Sequence, residues 1–195
     1  WVVGIGISCG GPQTLYEMLT SFPSDFVPIL ITQHMPAQFT RPFAQHLNQV
    51  CSMHVKEGEH GEPLKQGVVY VAPGSHHMCV QRQGIGLTIR LDDGPLVSGH
   101  RPSADVMFSS LAKVCPSRTI GVIMTGMGRD GTNGMGDLVR AGATTVGQDA
   151  ESSLVYGMPK AAADAGYVQH VASMPEIPGL LARILEGRAA PQRMR

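Results

Sequence analysis

The sequence predicts an α/β protein: a doubly wound three-layer sandwich on a mostly parallel sheet, with an antiparallel hairpin near residues 77–90. Three observations carry this. Short β-branched runs recur along the chain, and they are continuous in hydrophobicity rather than alternating, as strands covered on both faces must be. Helical periodicities fall between several of them. Aromatic residues make up only 5% while Gly numbers 24 and Pro 14, which suits many tight strand-to-helix turns and not a coiled coil or a disordered tail.

The first run is VVGIGI at 2–7, after which Pro12 can open a helix with Leu15, Met18, Leu19 and Phe22 on one stripe. VPILIT at 27–32 and VVYVA at 68–72 are the next strands. From His77 to Arg90, MCVQ and LTIR flank a turn containing Gly84 and Gly86, which reads as a hairpin and leads us to expect an antiparallel edge on the main sheet. Ser103 can cap a helix carrying Ala104, Met107, Phe108 and Leu111. TIGVIM at 119–124 is followed by a helix starting around Met135, Leu138 and Val139, and then by ATTVGQ at 143–148. Ser173 and Glu176 form a capping box ahead of Ile177, Leu180, Leu181 and Ile184. One domain over 1–187 is expected, with 188–195 as a flexible tail.

Composition narrows the function classes. Fifteen basic residues balance fifteen acidic ones, so no broad cationic face for nucleic acid is expected. No apolar stretch reaches the roughly 18–20 residues of a membrane span, which predicts a soluble chain with no direct membrane insertion. Four cysteines without a C-x-x-C pair fit reduced thiols in a cytoplasmic protein. His76 and His77 point to opposite strand faces and make a poor metal pair, so no metal is expected. The opening residues, WVVGIGIS, already read as a buried strand, so the gene product is expected to start upstream.

The chemistry concentrates after three strand ends. Gly6, Ser8 and Gly10 spell G-x-S-x-G between a strand and a helix, the pattern of a nucleophile elbow. By itself the pentapeptide fits a structural turn equally well. A dinucleotide-binding G-x-G-x-x-G would need glycine where Cys9 stands and an acidic residue ending the second strand, where Thr32, Gln33 and His34 occur. A Rossmann-like oxidoreductase is therefore the weaker alternative, and His34 becomes the candidate base. TGMGRDG at 125–131 places Asp130 past a third strand, where it can orient an imidazole. The order Ser, His, Asp matches neither the α/β-hydrolases nor the two familiar protease orders.

Five motifs in order, GIGISCGGP at 4–12, ITQHMPAQFT at 31–40, HRPSADVMF at 100–108, TGMGRDG and QDAESSLVYGMP at 148–159, closely resemble the catalytic domain of the chemotaxis receptor methylesterases (CheB-type). The resemblance runs from Trp1 to about Leu185 and implies a triad of Ser8, His34 and Asp130. It implies hydrolysis of glutamate γ-methyl esters on the cytoplasmic helices of chemoreceptors, with deamidation of receptor glutamines as a second activity and no metal or organic cofactor. It also implies an N-terminal receiver domain in the full-length protein. A catalytically inactive receptor-docking domain is the non-enzymatic alternative.

Two positions depart from the family's pattern: Cys9 stands where threonine is usual and Arg129 where asparagine is common. Ser8 holds the centre of the elbow, so Cys9 is read as supporting the site rather than attacking. The turn beside Asp130 makes the Met127 N–H the leading oxyanion donor, with the Cys9 N–H behind it. Arg101 offers a contact for an acidic receptor helix, although Pro102, Ser103 and Asp105 also read as an ordinary helix start.

Overall fold

The computed structural model describes residues 1–187; the expected tail at 188–195 lies outside them. Seven parallel strands form the central sheet: β1 (Val2–Ile7), β2 (Ile29–Gln33), β3 (His54–Glu57), β4 (Val68–Val71), β7 (Thr119–Ile123), β8 (Thr144–Gln148) and β9 (His170–Ala172). Their spatial order is β3-β4-β2-β1-β7-β8-β9, so β2 and then the edge strand β3, with β4 inserted between them, lie on one side of β1 and the strands from β7 onward on the other. The C-terminal ends of β1, β2 and β7 thus meet at the point where the winding reverses, the place where open α/β sheets form their sites.

Helices cover both faces. α1 (Gly11–Leu19), α2 (Ala37–Asn48) and α6 (Ile177–Leu185) pack Leu15, Met18, Leu47, Leu181 and Ile184 against Val3, Ile5, Ile7 and Ile29. α3 (Ala104–Val114), α4 (Thr132–Arg140) and α5 (Met158–Asp164) pack on the other face, with Phe108, Leu111, Leu138 and Ala162 buried there. Each fully buried Leu or Phe stabilises the fold by roughly 1.5–3 kcal/mol. The α3 face of β1 carries Gly4 and Gly6 because the helix comes too close for side chains. A Cβ on Gly4 would lie 2.8 Å from Leu111 Cδ1, and one on Gly6 2.7 Å from Ala104 Cβ.

Two expectations change. The hairpin β5 (His77–Gln83) and β6 (Gly86–Asp92) forms, but as a separate two-stranded sheet and not as an edge of the main one. Its apolar face, Met78, Val80 and Ile89, joins the core around α3, and Ser110 Oγ accepts the Val80 N–H at 2.9 Å. The helix after β1 stops at Leu19, and Phe22 fills the core from beyond its end.

The strands β3 and β9 and the helices α2 and α5 have no counterpart in the sequence reading. β3 is a short edge strand, HVKE, with one buried residue; α2 carries Pro42 inside it and buries only Thr40, Ala44 and Leu47. β3 offers too few buried positions to show a period, whereas α2 spaces Thr40, Phe43, Ala44 and Leu47 at i, i+3, i+4 and i+7 but with a polar and a small residue in the stripe and Pro42 beside it. The capping box at Ser173 and Glu176 is present, on a 3-10 turn that runs into α6.

Candidate active site

Ser8 follows β1, and His34 follows β2 one step beyond the Ile7–Gln33 pair, with the His34 N–H donating to the Ile7 carbonyl at 3.2 Å. The turn after Ser8 rests on Gly10, which caps α1 at φ 80, where a side chain would be strained. Of the glycines flanking Ser8, Gly10 therefore makes the turn while Gly6 admits α3. The loop after β7 passes directly against the serine: the Ser8 N–H donates to the Thr125 carbonyl at 2.9 Å, and a Cβ on Gly126 would lie 2.9 Å from Ser8 Cβ.

His34 Nε2 donates to Asp130 Oδ2 at 2.7 Å, and the side chains are 8% and 0% exposed. The other ring nitrogen, Nδ1, is buried without a hydrogen-bond partner. Among the described residues no hydrogen bond joins Ser8 Oγ to the ring. In chymotrypsin-like triads the carboxylate holds Nδ1 and the serine meets Nε2. Here the carboxylate holds Nε2 instead, and Nδ1 is the nitrogen without a partner.

Asp130 is held by more than the imidazole. Ser103 Oγ donates to Oδ1 at 2.6 Å, the Ala104 N–H to Oδ2 at 2.7 Å, and the Asp105 N–H to Oδ1 at 3.3 Å. The carboxylate thereby takes the N-terminal amides of α3, where the helix dipole favours a negative charge. Burial works to raise its pKa, but the hydrogen bonds from His34, Ser103 and Ala104 outweigh it and leave Asp130 below the ordinary carboxylate value. Ser103 sits at the N-cap as expected, yet its hydroxyl bonds Asp130 and not its own helix. HRPSADVMF thus supports Asp130 through Ser103, a residue that the sequence reading placed only at a helix start.

Thr125, fully buried, ties the neighbouring loops together. Its hydroxyl donates to the Cys9 carbonyl at 2.8 Å and accepts the Val155 N–H at 3.0 Å, while Gln148 Oε1 accepts the Thr125 N–H at 2.9 Å. Cys9 is exposed beside the serine, and Met127 is 70% exposed on the facing loop. Among the described residues no protein acceptor takes the N–H of either. Arg101 lines a cleft of about 320 Å³ with His34, Pro36, Leu96 and His100, and its Nη1 donates to the carbonyls of Asp93 and Gly94. A larger groove of about 1180 Å³, between α2 and β3, is lined by none of Ser8, His34 and Asp130.

His77 is occupied structurally: Nδ1 accepts the Ser103 N–H at 3.2 Å, and Nε2 bonds the Pro95 carbonyl at 2.9 Å. Among the described residues, no group of three or more His, Cys, Asp or Glu side chains could hold a metal, and no helix is long and apolar enough to cross a membrane.

A family model described as CheB methylesterase matches residues 3–181. A protein-glutamate methylesterase/protein-glutamine glutaminase 1 from Geobacter metallireducens is 48% identical over 187 residues, covering 96% of this chain and 52% of that protein. A protein-glutamate methylesterase/protein-glutamine glutaminase of the group 3 operon from Rhodopseudomonas palustris is 48% identical, covering 91% and 49%. The crystal structure of the Thermotoga maritima CheB methylesterase catalytic domain aligns with a TM-score of 0.92 at 38% identity, covering 94% of this chain and 97% of that one. The chain spans about half the length of the curated relatives it matches.

Proposed function

The chain belongs to the CheB methylesterase family, and we propose that it is a serine hydrolase that demethylates glutamate γ-methyl esters on the cytoplasmic helices of chemoreceptors. The observation that carries this is the pairing of His34 with Asp130 beside Ser8, with Nδ1 buried and unpartnered. Such a nitrogen is the acceptor a serine hydroxyl needs, and the carboxylate on Nε2 keeps its proton there, so that Nδ1 stays a base.

Ser8 Oγ attacks the ester carbonyl while His34 Nδ1 takes its proton. The Met127 N–H, with the Cys9 N–H, receives the oxyanion, which fits their freedom from protein acceptors. Nδ1 then protonates the leaving methoxide, methanol departs, and an acyl-Ser8 ester remains. Water, deprotonated by the same nitrogen, attacks this ester and releases the free glutamate and the Ser8 hydroxyl. With a glutamine side chain the leaving group is ammonia, and the same steps deamidate it.

The exposed side chains of Met127 and Leu154, the latter against Gly10, give the site an apolar rim suited to a helix surface. Arg101 is a cation at the mouth for an acidic stretch of the substrate. We also place the protein in the cytoplasm, as residues 1–187 forming one catalytic domain, with a receiver domain as its regulatory partner in the whole protein.

The test is methanol release from methylated receptor by the chain and by Ser8→Ala. Release by the first and loss of roughly three to six orders of magnitude in the second support the assignment. Equal release by both removes it.

A further inference from the structure

His100 comes from the segment between β6 and α3, and its ring stacks on that of His34 with centroids 3.7 Å apart and planes 6° from parallel. The backbone beneath it is held at three points. His100 and Val97 exchange N–H to carbonyl bonds of 2.9 and 3.0 Å, and Arg101 Nη1 reaches the Asp93 and Gly94 carbonyls at 2.9 and 2.8 Å. His34, by contrast, has one ring hydrogen bond, through Nε2. A single bond at one corner fixes that corner and leaves the tilt of the ring to what packs against its faces.

We propose that His100 is a positioning residue: its ring face fixes the plane of the His34 imidazole, so that Nδ1 addresses Ser8 while Nε2 remains on Asp130. This rests on the esterase reading above and names a residue that the triad logic leaves out. The charged and titratable groups facing His100 are His34 and Asp130. Burial, with His34 nearby, keeps His100 below the ordinary histidine pKa, so it meets the base as a neutral ring. When His34 takes the Ser8 proton, its positive charge develops over the face of that neutral ring, which is attractive, whereas a charged ring there would be repulsive.

The experiment compares wild type, His100→Ala, His100→Phe and His100→Gln in methanol release from methylated receptor, together with the imidazole ¹⁵N spectrum of His34. Loss of the ring in the Ala and Gln variants is expected to lower kcat by about 10- to 100-fold with KM nearly unchanged, since a misplacement of about 1 Å can cost that much. Phe restores the flat face and is expected to return kcat to within a few-fold of wild type. The His34 signals, those of an Nε2-protonated ring in wild type and the Phe variant, are expected to broaden in the Ala and Gln variants. If Ala does not fold, Gln against Phe decides the point. Unchanged kcat in both ringless variants, or a Phe variant no better than Gln, overturns the proposal. If wild type releases no methanol while the His34 spectrum responds as described, positioning stands and the esterase reading fails instead.

Discussion

Asp105 and Asp130 exchange helix ends. Asp130, two residues ahead of α4, accepts the Ala104 and Asp105 amides that open α3, while Asp105, inside α3, accepts the Gly134 amide in the first turn of α4 at 2.8 Å. Each carboxylate sits in the favourable field at the start of the other's helix. Their electrostatics diverge. Burial pushes Asp105 up, with Asp130 adding to it, whereas the bonds to His34, Ser103 and Ala104 keep Asp130 down against its own burial. Of the two carboxylates, the one bonded to His34 is thereby the more acidic.

Asp105→Ala leaves the Gly134 N–H buried without its acceptor, which costs about 1–3 kcal/mol. Urea unfolding is expected to show that loss, and a smaller one for Asp105→Asn, which keeps an acceptor oxygen. Equal midpoints for wild type and the Ala variant would show that the exchanged caps do not hold α3 and α4 together.

Asp130→Asn keeps the shape, and because the Ala104 N–H needs an oxygen at the Oδ2 position, the new amide N–H₂ falls toward the Ser103 hydroxyl and its oxygen stays on His34. What the variant removes is the negative charge that favours a protonated imidazole. kcat is expected to fall by about 10-fold or more with the fold intact. Steady-state kinetics beside a circular dichroism spectrum checks this, and an unchanged kcat would contradict the role given to Asp130.

Acid unfolding is expected in two stages. His100 and His170 both resist protonation in the folded state because of burial, so stability declines as pH falls from about 6.5 through their folded values. Asp130, depressed in the folded state, contributes stability above about 3.8 that is lost as pH falls from there through its folded value. Urea midpoints measured against pH are expected to fall less steeply between pH 6.5 and 5 in His100→Phe than in wild type. Parallel curves would place the titrating group elsewhere.

Cys9→Thr and Cys9→Ser are expected to retain activity, since Ser8 remains at the turn. Mass spectrometry of a trapped acyl adduct is expected to find it on Ser8. An adduct on Cys9, or turnover surviving Ser8→Ala but lost in Cys9→Thr, would exchange the two roles.

Gly126→Ala brings a methyl group to 2.3 Å from Met158 Sδ and 2.9 Å from Ser8 Cβ. The Met158 end can shift, but the serine backbone is fixed by its bond to Thr125. Overpacking of this kind costs about 1–3 kcal/mol, while displacement of the nucleophile is expected to cost about 10²-fold in kcat. Thermal melts and kinetics together separate the two effects.

The local sequence was sufficient for the features whose cause is local. Continuous apolar runs mark strands buried on both faces, the Leu15–Met18–Leu19 spacing marks a helix stripe, and residues just past strand ends in a doubly wound sheet converge, which is how Ser8, His34 and Asp130 could be singled out together. β3 escaped because an edge strand with one buried position carries no periodic signal, and α2 because its stripe of Thr40, Ala44 and Leu47 is partly polar and small and has Pro42 beside it. Tertiary structure alone decided that the hairpin stands off from the main sheet, that Gly6 serves the approach of α3, and that Ser103 bonds Asp130. It alone decided which imidazole nitrogen faces the carboxylate and that His100 covers the ring. These are contacts between residues tens of positions apart, and they depend on how α3 is set against β1 and α4. No spacing along the chain encodes that distance, because packing of whole helices against the sheet determines it.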